Sequence, residues 1–468
     1  MTVEQKERPI RLERMKVLAA HEADLTADLH QENSYYAFGK WLYHPEQVEH
    51  VKEGNFRAVT PVTVQLIPTL YCNFGCPRCS YGQAKEDMSI HKDQTLMHMN
   101  LPTMMTIIDR LEEAGLKAIV FTGGGEPTLN KHLIEGMAYA RGKGFKIGLF
   151  TNGSLLDQEK IEAMMSLEPT FLRVSLDAGS PVAHRLLHGY TEKHGYFDTI
   201  LKNLKVMAKT RQRLGLTTTI GVGVSVEPIN LNDLVQVARR LREISQCEPD
   251  GGIDYLVFRP MVNYDKGKFF HMAKPLLEQL KQDMPEYYQD YRAYMYEGKQ
   301  LPARLFARAS EIIDGPVREV LADTGIQVIN IRTKMIGITR NQRPFHKCRA
   351  SSWYIFVGPD GTVYNCVELG LDPRVALGNL QTHSLAEIWQ SEQRRKVLDY
   401  IDSAGLNNLC PPVCLYYELN TLFEKLDRLF QAGEDRRAQA LRWIAHHEAL
   451  VQVELETGKF TQAHHDFI

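Results

Sequence analysis

Three cysteines, Cys72, Cys76 and Cys79, fall within eight residues in the segment YCNFGCPRCS. Thiolates are soft ligands that favour zinc or iron–sulfur over harder metals. Structural zinc prefers four ligands, usually as two close pairs, and no fourth cysteine lies nearby. His91 and His98 are near enough in sequence to complete such a site, but zinc would leave the later polar motifs unexplained. A 4Fe–4S cluster normally takes four thiolates, one per iron. Three leave one iron open to chelate something else. A second group, Cys348, Cys366, Cys410 and Cys414, has the four thiols that a fully ligated cluster or a structural zinc would need, and Cys247 stands alone. Eight cysteines in 468 residues are too sparse for a disulfide framework, and clustered cysteines in a reducing compartment point to metal.

The elements that must position these groups are legible from residue 61 onward. Apolar, β-branched runs alternate with amphipathic helices: VTVQLIP (63–69), KAIVFTGGG (117–125), FKIGLFTNG (145–153), FLRVSLDAG (171–179), TTIGVGVSVEP (218–228) and IDYLVFRP (253–260). Near-continuous apolar strands separated by helices predict a parallel sheet covered by helices. Met104, Ile107, Ile108 and Leu111 recur at helical spacing, with Asn100 as the cap and Pro102 in the first turn. The fold class is therefore α/β, and six such units in about 200 residues fit a partial (β/α)6 TIM-like barrel better than a closed eight-stranded one. The cysteines, GGGEP, TNG, SLDAG, VEPIN and FRP all fall at the C-terminal ends of these strands, the edge where parallel α/β folds bind ligands.

The expected organisation is a helical extension (1–60), the barrel (61–265), a bridging segment with the strand GIQVINIRTKM (266–340), an auxiliary cysteine domain (341–420) and C-terminal helices (421–468). In the auxiliary domain WYIFVGPDGTVYNC reads as a hairpin with a Pro-Asp-Gly turn, and Pro411 and Pro412 suit the first turn of a helix begun between Cys410 and Cys414. Hydrophobic content of 44% and charged content of 24% are those of an ordinary globular protein. A formal charge of -2 gives no electrostatic reason to expect nucleic acid or an anionic membrane as partner. With no signal-peptide core and no membrane-length apolar run, the reading is a soluble cytoplasmic protein.

In this order on consecutive strands, the motifs resemble those of the radical S-adenosylmethionine (radical SAM) superfamily. There the free iron of a three-cysteine 4Fe–4S cluster chelates SAM, and reduction yields a 5′-deoxyadenosyl radical that takes a hydrogen atom from substrate. The resemblance implies that Cys72, Cys76 and Cys79 hold that cluster. It further implies that Gly123, Gly124, Gly125 and Glu126 receive the SAM amino group, and that Asn152 and Ser175 lie at the cofactor. Asp177 and Arg259 are the catalytic candidates: a strand-end base, and a cation facing an anion or pairing with Asp177. Arg78 stands where the family often has an aromatic residue, which leaves the adenine contact to Phe74 or Tyr81. The fifth strand matches its family pattern only loosely, so Glu227 is given no ligand role. Residues 348–414 resemble the SPASM extension, in its shorter twitch form, implying an auxiliary 4Fe–4S cluster on Cys348, Cys366, Cys410 and Cys414, with structural zinc as the alternative.

Several conspicuous residues have plainer readings. Cys247 falls in a helix-to-strand loop at the far end of the barrel and is expected to be an incidental thiol. Tyr287, Tyr288, Tyr291, Tyr294 and Tyr296 could stack a base or form a lid, but aromatics at helical spacing more often pack between domains. His446–His447 and His464–His465 are expected to be solvated. The implied reaction is hydrogen abstraction from a polar small molecule such as a sugar, aminocyclitol or nucleoside. Electrons would come from a flavodoxin- or ferredoxin-type reductant, and the auxiliary cluster would accept one if the outcome is oxidative. Peptide modification is the alternative, lowered because residues 1–60 show no strand pattern of a leader-binding domain. A non-catalytic electron carrier or zinc scaffold has no need of a three-cysteine site beside a Gly-Gly-Glu loop.

Overall fold

One ten-stranded sheet organises the chain. In this computed structural model, residues 38–76, 79, 81, 98–246, 252–261, 303–339, 343–457 and 467 are described, with scattered helical positions between 278 and 292. The strands are β1 (Thr63–Leu66), β2 (Ala118–Phe121), β3 (Lys146–Thr151), β4 (Phe171–Ser175), β5 (Thr219–Val226), β6 (Tyr255–Pro260), β7 (Gln327–Asn330), β8 (Tyr354–Val357), β9 (Thr362–Tyr364) and β10 (Ala376–Asn379). Their order is β10-β9-β8-β1-β2-β3-β4-β5-β6-β7. The pairs from β1 to β7 are all parallel, and helices cross between them as the alternating pattern predicts. The strand foreseen in the bridging segment is β7, which continues the parallel sheet beyond β6.

The helix Leu101–Glu113 shows how the sequence builds one unit. Asn100 accepts from the amide of Thr103 at 2.9 Å, and a proline occupies the first turn, where its missing N–H costs nothing. Met104, Ile107, Ile108 and Leu111 are fully buried against the sheet, each worth about 1.5–3 kcal/mol of apolar transfer. β1 and β2 are buried at every position, because helices cover one face and the barrel interior lies on the other.

The expected hairpin forms from β8 and β9 around Gly361, whose φ of 82° needs a residue without a side chain. Its attachment was not foreseen. β8 runs parallel to β1, Thr63 opposite Tyr354 and Leu66 opposite Val357, so the auxiliary segment extends the barrel sheet without a break. The helix expected across Cys410–Cys414 begins later, at Tyr417, and residues 410–416 form turns instead. Two prolines in succession with cysteines on both sides favour that irregular path.

A second core lies outside the barrel. Trp41, Val48 and Val51 from the N-terminal segment meet Trp353, Phe423 and Trp443, with Trp41 edge-on to Phe423 at 5.4 Å. The described part of residues 1–60 thus packs with the C-terminal helices Tyr417–Gln431 and Glu434–Thr457. His446 and His447 are half-buried rather than solvated, and His447 lies 4.2 Å from the Trp443 ring. Tyr288 packs against the main core. Tyr287, Tyr291, Tyr294, Tyr296, Cys247, Arg78, His91, His464 and His465 lie outside the described residues. No described helix is long and apolar enough to cross a membrane.

Candidate active site

Side chains from β1 (Gln65), β4 (Arg173), β6 (Tyr255) and β8 (Tyr354) line a single cavity of about 580 Å³. Strands that far apart in the sheet can share a cavity only if the sheet curls into an open barrel. Cys72, Cys76 and Cys79 border this cavity, as do Gly123, Gly125, Glu126, Asn152, Ser175, Asp177 and Arg259. The candidates for the three-cysteine site, the SAM contacts and catalysis therefore converge, with Gly124 the exception, and Glu227, given no role, stays apart. Gly124 faces backwards, where a side chain would strike Leu70 and Tyr81. Glu227 is buried, with its amide donating to Asn230 Oδ1 at 2.8 Å, and does not line the cavity.

The cysteine loop is held from two sides. On the barrel side, Gly125 N–H donates to Thr69 O at 3.0 Å and Glu126 N–H to Tyr71 O at 2.7 Å. A Cβ on Gly125 would stand 1.9 Å from the Tyr71 carbonyl, so only glycine lets these loops close. Asn152 Nδ2 donates to Asn73 Oδ1 at 3.0 Å, and Asn73 reaches Ser154 Oγ at 2.8 Å. On the other side is the C-terminus of the helix Pro181–His188. Gly75 N–H donates to His188 O at 3.0 Å, and Gly189 follows with φ of 63°. Phe74 fills a nest of rings there, stacked on Tyr190 at 5.3 Å and 4.9 Å from His188. Tyr81 lies against Phe356 of β8 at 6.1 Å. Both rings offered for the adenine contact border the cavity but also carry packing roles. His98 stacks on Tyr71 at 4.6 Å.

Glu126 is a hub between strand ends. It accepts from Thr128 N and Oγ1 (3.2 and 2.7 Å), Thr151 Oγ1 (2.5 Å) and Asn152 N (2.7 Å). Burial pushes its carboxyl above the ordinary range, and these four bonds oppose that rise. Oε2 takes only the Asn152 amide, which leaves lone-pair capacity for an ammonium group. Asp177, at a φ of 59°, accepts from Ser225 N at 2.6 Å through Oδ1 and sets Oδ2 3.5 Å from His188 Nε2. Arg259 is exposed where it borders the cavity. Arg173, absent from the sequence candidates, lies in the barrel with its guanidinium 3.5 Å from the Phe150 ring centroid. Its position as an interior residue of an apolar strand was the available signal.

The second cysteine group gathers around the hairpin and the turns before Tyr417. Burial, then the charge of Cys348, pushes the Cys366 thiol well up; burial likewise raises Cys414, and Cys410 to about 12. Asn420 Nδ2 lies 3.5 Å from Cys348 Sγ, while Arg343 donates to Cys410 O at 2.8 Å. Cys366 is buried and Cys410 and Cys414 are half-buried, so these three thiols are costly to ionise unless metal binds them. Among the described residues no three His, Cys, Asp or Glu side chains gather as closely as a single metal ion requires. Cys414 and Glu368 border the same cavity as the first three cysteines.

Residues 66–241 match the Radical SAM superfamily, and residues 348–415 match SPASM, an iron-sulfur cluster-binding domain. The Fe-coproporphyrin III synthase of Methanosarcina barkeri is 32% identical over 152 residues, 32% of this chain and 35% of that protein. The AdoMet-dependent heme synthase of the same organism is 24% identical over 345 residues, 73% of this chain and 86% of that protein. Streptococcus suis SuiB bound to S-adenosylmethionine superposes with a TM-score of 0.52 at 12% identity, covering 76% of this chain and 72% of that one. The first of these alignments spans about a third of the relative's length, and the SuiB likeness is one of fold. Residues 66–241 thus form a radical SAM domain and residues 348–415 a C-terminal SPASM domain, with SAM, a SAM-binding 4Fe–4S cluster and auxiliary SPASM iron–sulfur as their cofactors.

Proposed function

We propose that the enzyme abstracts a hydrogen atom from an anionic small molecule with a flat apolar face, bound in the barrel cavity between its two cysteine groups. In this reading Cys72, Cys76 and Cys79 hold the SAM-binding cluster, and Cys348, Cys366, Cys410 and Cys414 hold one auxiliary cluster. Glu126 and the Gly123 and Gly125 backbone receive the SAM amino group, with Asn152 and Ser175 beside the cofactor. When bound and reduced, cluster and SAM together supply the hydrogen-abstracting 5′-deoxyadenosyl radical.

The observation that carries the reading is one cavity bordered by Cys76, Cys414, Asp177 and Arg259 together. Its inner wall is apolar and aromatic, from Val120, Phe150, Phe171, Tyr255 and Val257. Such a wall stacks a flat ring, and Arg259 and Arg173 supply cations for carboxylate or phosphate. A bare sugar or aminocyclitol would leave the aromatic wall unused, whereas a nucleotide would use both features. So would a carboxylate-bearing tetrapyrrole, the class of molecule that the two named synthases of M. barkeri make. In this reading Asp177, which borders the cavity, takes a proton from the substrate radical and the auxiliary cluster takes an electron from it, which gives the oxidised product. Excluding water matters here, because a carbon radical must meet only its substrate.

Incubating reduced protein with SAM and each of a nucleotide, iron coproporphyrin III and a sugar, with deuterated forms where a hit appears, tests this. Deuterium should reach 5′-deoxyadenosine from a flat anionic compound and not from the sugar. Transfer from the sugar alone would overturn the proposal.

One observation favours the peptide reading. Phe467, next to the C-terminus, lies in this same cavity, 4.9 Å from Phe171, with its carbonyl accepting from the buried Lys40 Nζ at 2.9 Å. The wall of the cavity thus includes an aromatic side chain next to its own backbone carbonyl, the pair of groups a peptide would present.

A further inference from the structure

We infer that His188 is a positioning residue for the SAM-binding cluster, donating a hydrogen bond to the Cys76 sulfur and so fixing that ligand and raising the cluster's reduction potential. The inference rests on the reading above that Cys76 is a cluster ligand. His188 Nδ1 lies 3.2 Å from Cys76 Sγ. A metal-bound thiolate can only accept, so Nδ1 carries the proton in this contact. The ring is almost fully buried and is held on several sides. Phe74 lies against it at 4.9 Å and His184 at 4.3 Å, and Asp177 Oδ2 stands 3.5 Å beyond Nε2. Its own carbonyl accepts the Gly75 amide, one residue before the cysteine it contacts. Backbone and side chain of one residue thus grip consecutive residues of the cysteine loop. Gly189 next to it permits the approach, since a Cβ there would lie 2.2 Å from Gly75 O.

Two physical consequences follow. A hydrogen bond to a ligand sulfur withdraws electron density and stabilises the reduced, more negative cluster, which raises its potential. An N–H donor on one of three ligands also makes Cys76 inequivalent to Cys72 and Cys79 as a cluster ligand.

The test compares His188→Leu, His188→Asn and His188→Gln in the full chain, reconstituted anaerobically. The Asn amide nitrogen takes the place of Nδ1; the Gln amide reaches the place of Nε2 instead. The readouts are iron content, the midpoint potential from an EPR-monitored titration, and urea stability. Removing the donor in His188→Leu should shift the midpoint to a more negative value, while His188→Asn stays close to wild type. His188→Gln should behave like His188→Leu. Should the Leu variant fail to fold, the Asn and Gln pair still decides the matter. Equal potentials in Asn and Gln variants, or an unshifted Leu variant, would overturn the inference. Wild-type protein without a cluster that answers to SAM would instead overturn the ligand assignment beneath it.

Discussion

Replacing Gly189 by alanine should displace the cysteine loop, and Gly215 provides the control. Both glycines end a helix at φ of 63°, with ψ of 38° and 34°. An L-residue in that left-handed region costs about 1–2 kcal/mol at either position. Nothing lies within 4 Å of a Cβ built on Gly215, so Gly215→Ala should lose that amount and nothing more. At Gly189 the Cβ would meet Gly75 O at 2.2 Å and Gly75 C at 2.7 Å. A carbon–oxygen contact needs about 3.3 Å, so the loop must retreat by about 1 Å, carrying Cys76 with it. That retreat breaks the Gly75–His188 backbone bond and should cost about 1 kcal/mol or more beyond the control. A misplacement of about 1 Å can cost on the order of 100-fold in rate. Urea unfolding and the rate of 5′-deoxyadenosine release from reduced protein with SAM are the assays. Gly215→Ala should keep its rate and Gly189→Ala should lose about two orders of magnitude. Equal losses of stability with unchanged rates in both variants would refute the idea that the helix end anchors the loop.

Two further outcomes are expected. Cys410→Ala should lower reconstituted iron from about eight to about four atoms per chain, while the SAM-responsive EPR signal remains; a wild type with only about four would remove the auxiliary cluster. Burial lowers the Lys40 ammonium from 10.5 to about 8, so between those pH values the unfolded chain keeps a proton that the folded chain has lost. Stability should therefore rise with pH across that window, by roughly 3 kcal/mol at most, and Lys40→Met should flatten the rise in paired urea titrations.

Chemistry that depends on residue type and spacing was open to reading along the chain. The three-cysteine loop, the Gly-Gly-Glu turn and the strand-end Asp177 fall on one cavity because parallel strands deliver their C-terminal ends to one edge. The Pro-Asp-Gly hairpin was equally local. Pairings set by distant segments were hidden. β8 beside β1 joins residues about 290 apart, and no periodicity in either strand announces it. His188 sits on an amphipathic helix among apolar neighbours, where a histidine reads as core, and only the fold brings its ring to Cys76. Arg173 occupies a strand position that looks like an interruption of an apolar run, until the strand is seen to face a barrel interior. The proline pair at 411–412 misled because helix-start chemistry and turn chemistry use the same residue.

The unbroken sheet has a consequence for electron flow. Because β8 is stitched to β1 by backbone pairing, the spacing between the two cysteine groups is set by covalent geometry and ladder hydrogen bonds rather than by a hinge. Tunnelling between centres so mounted would proceed over a constant gap. Its rate should then be indifferent to solvent viscosity, unlike that of a relay that waits for two lobes to swing together.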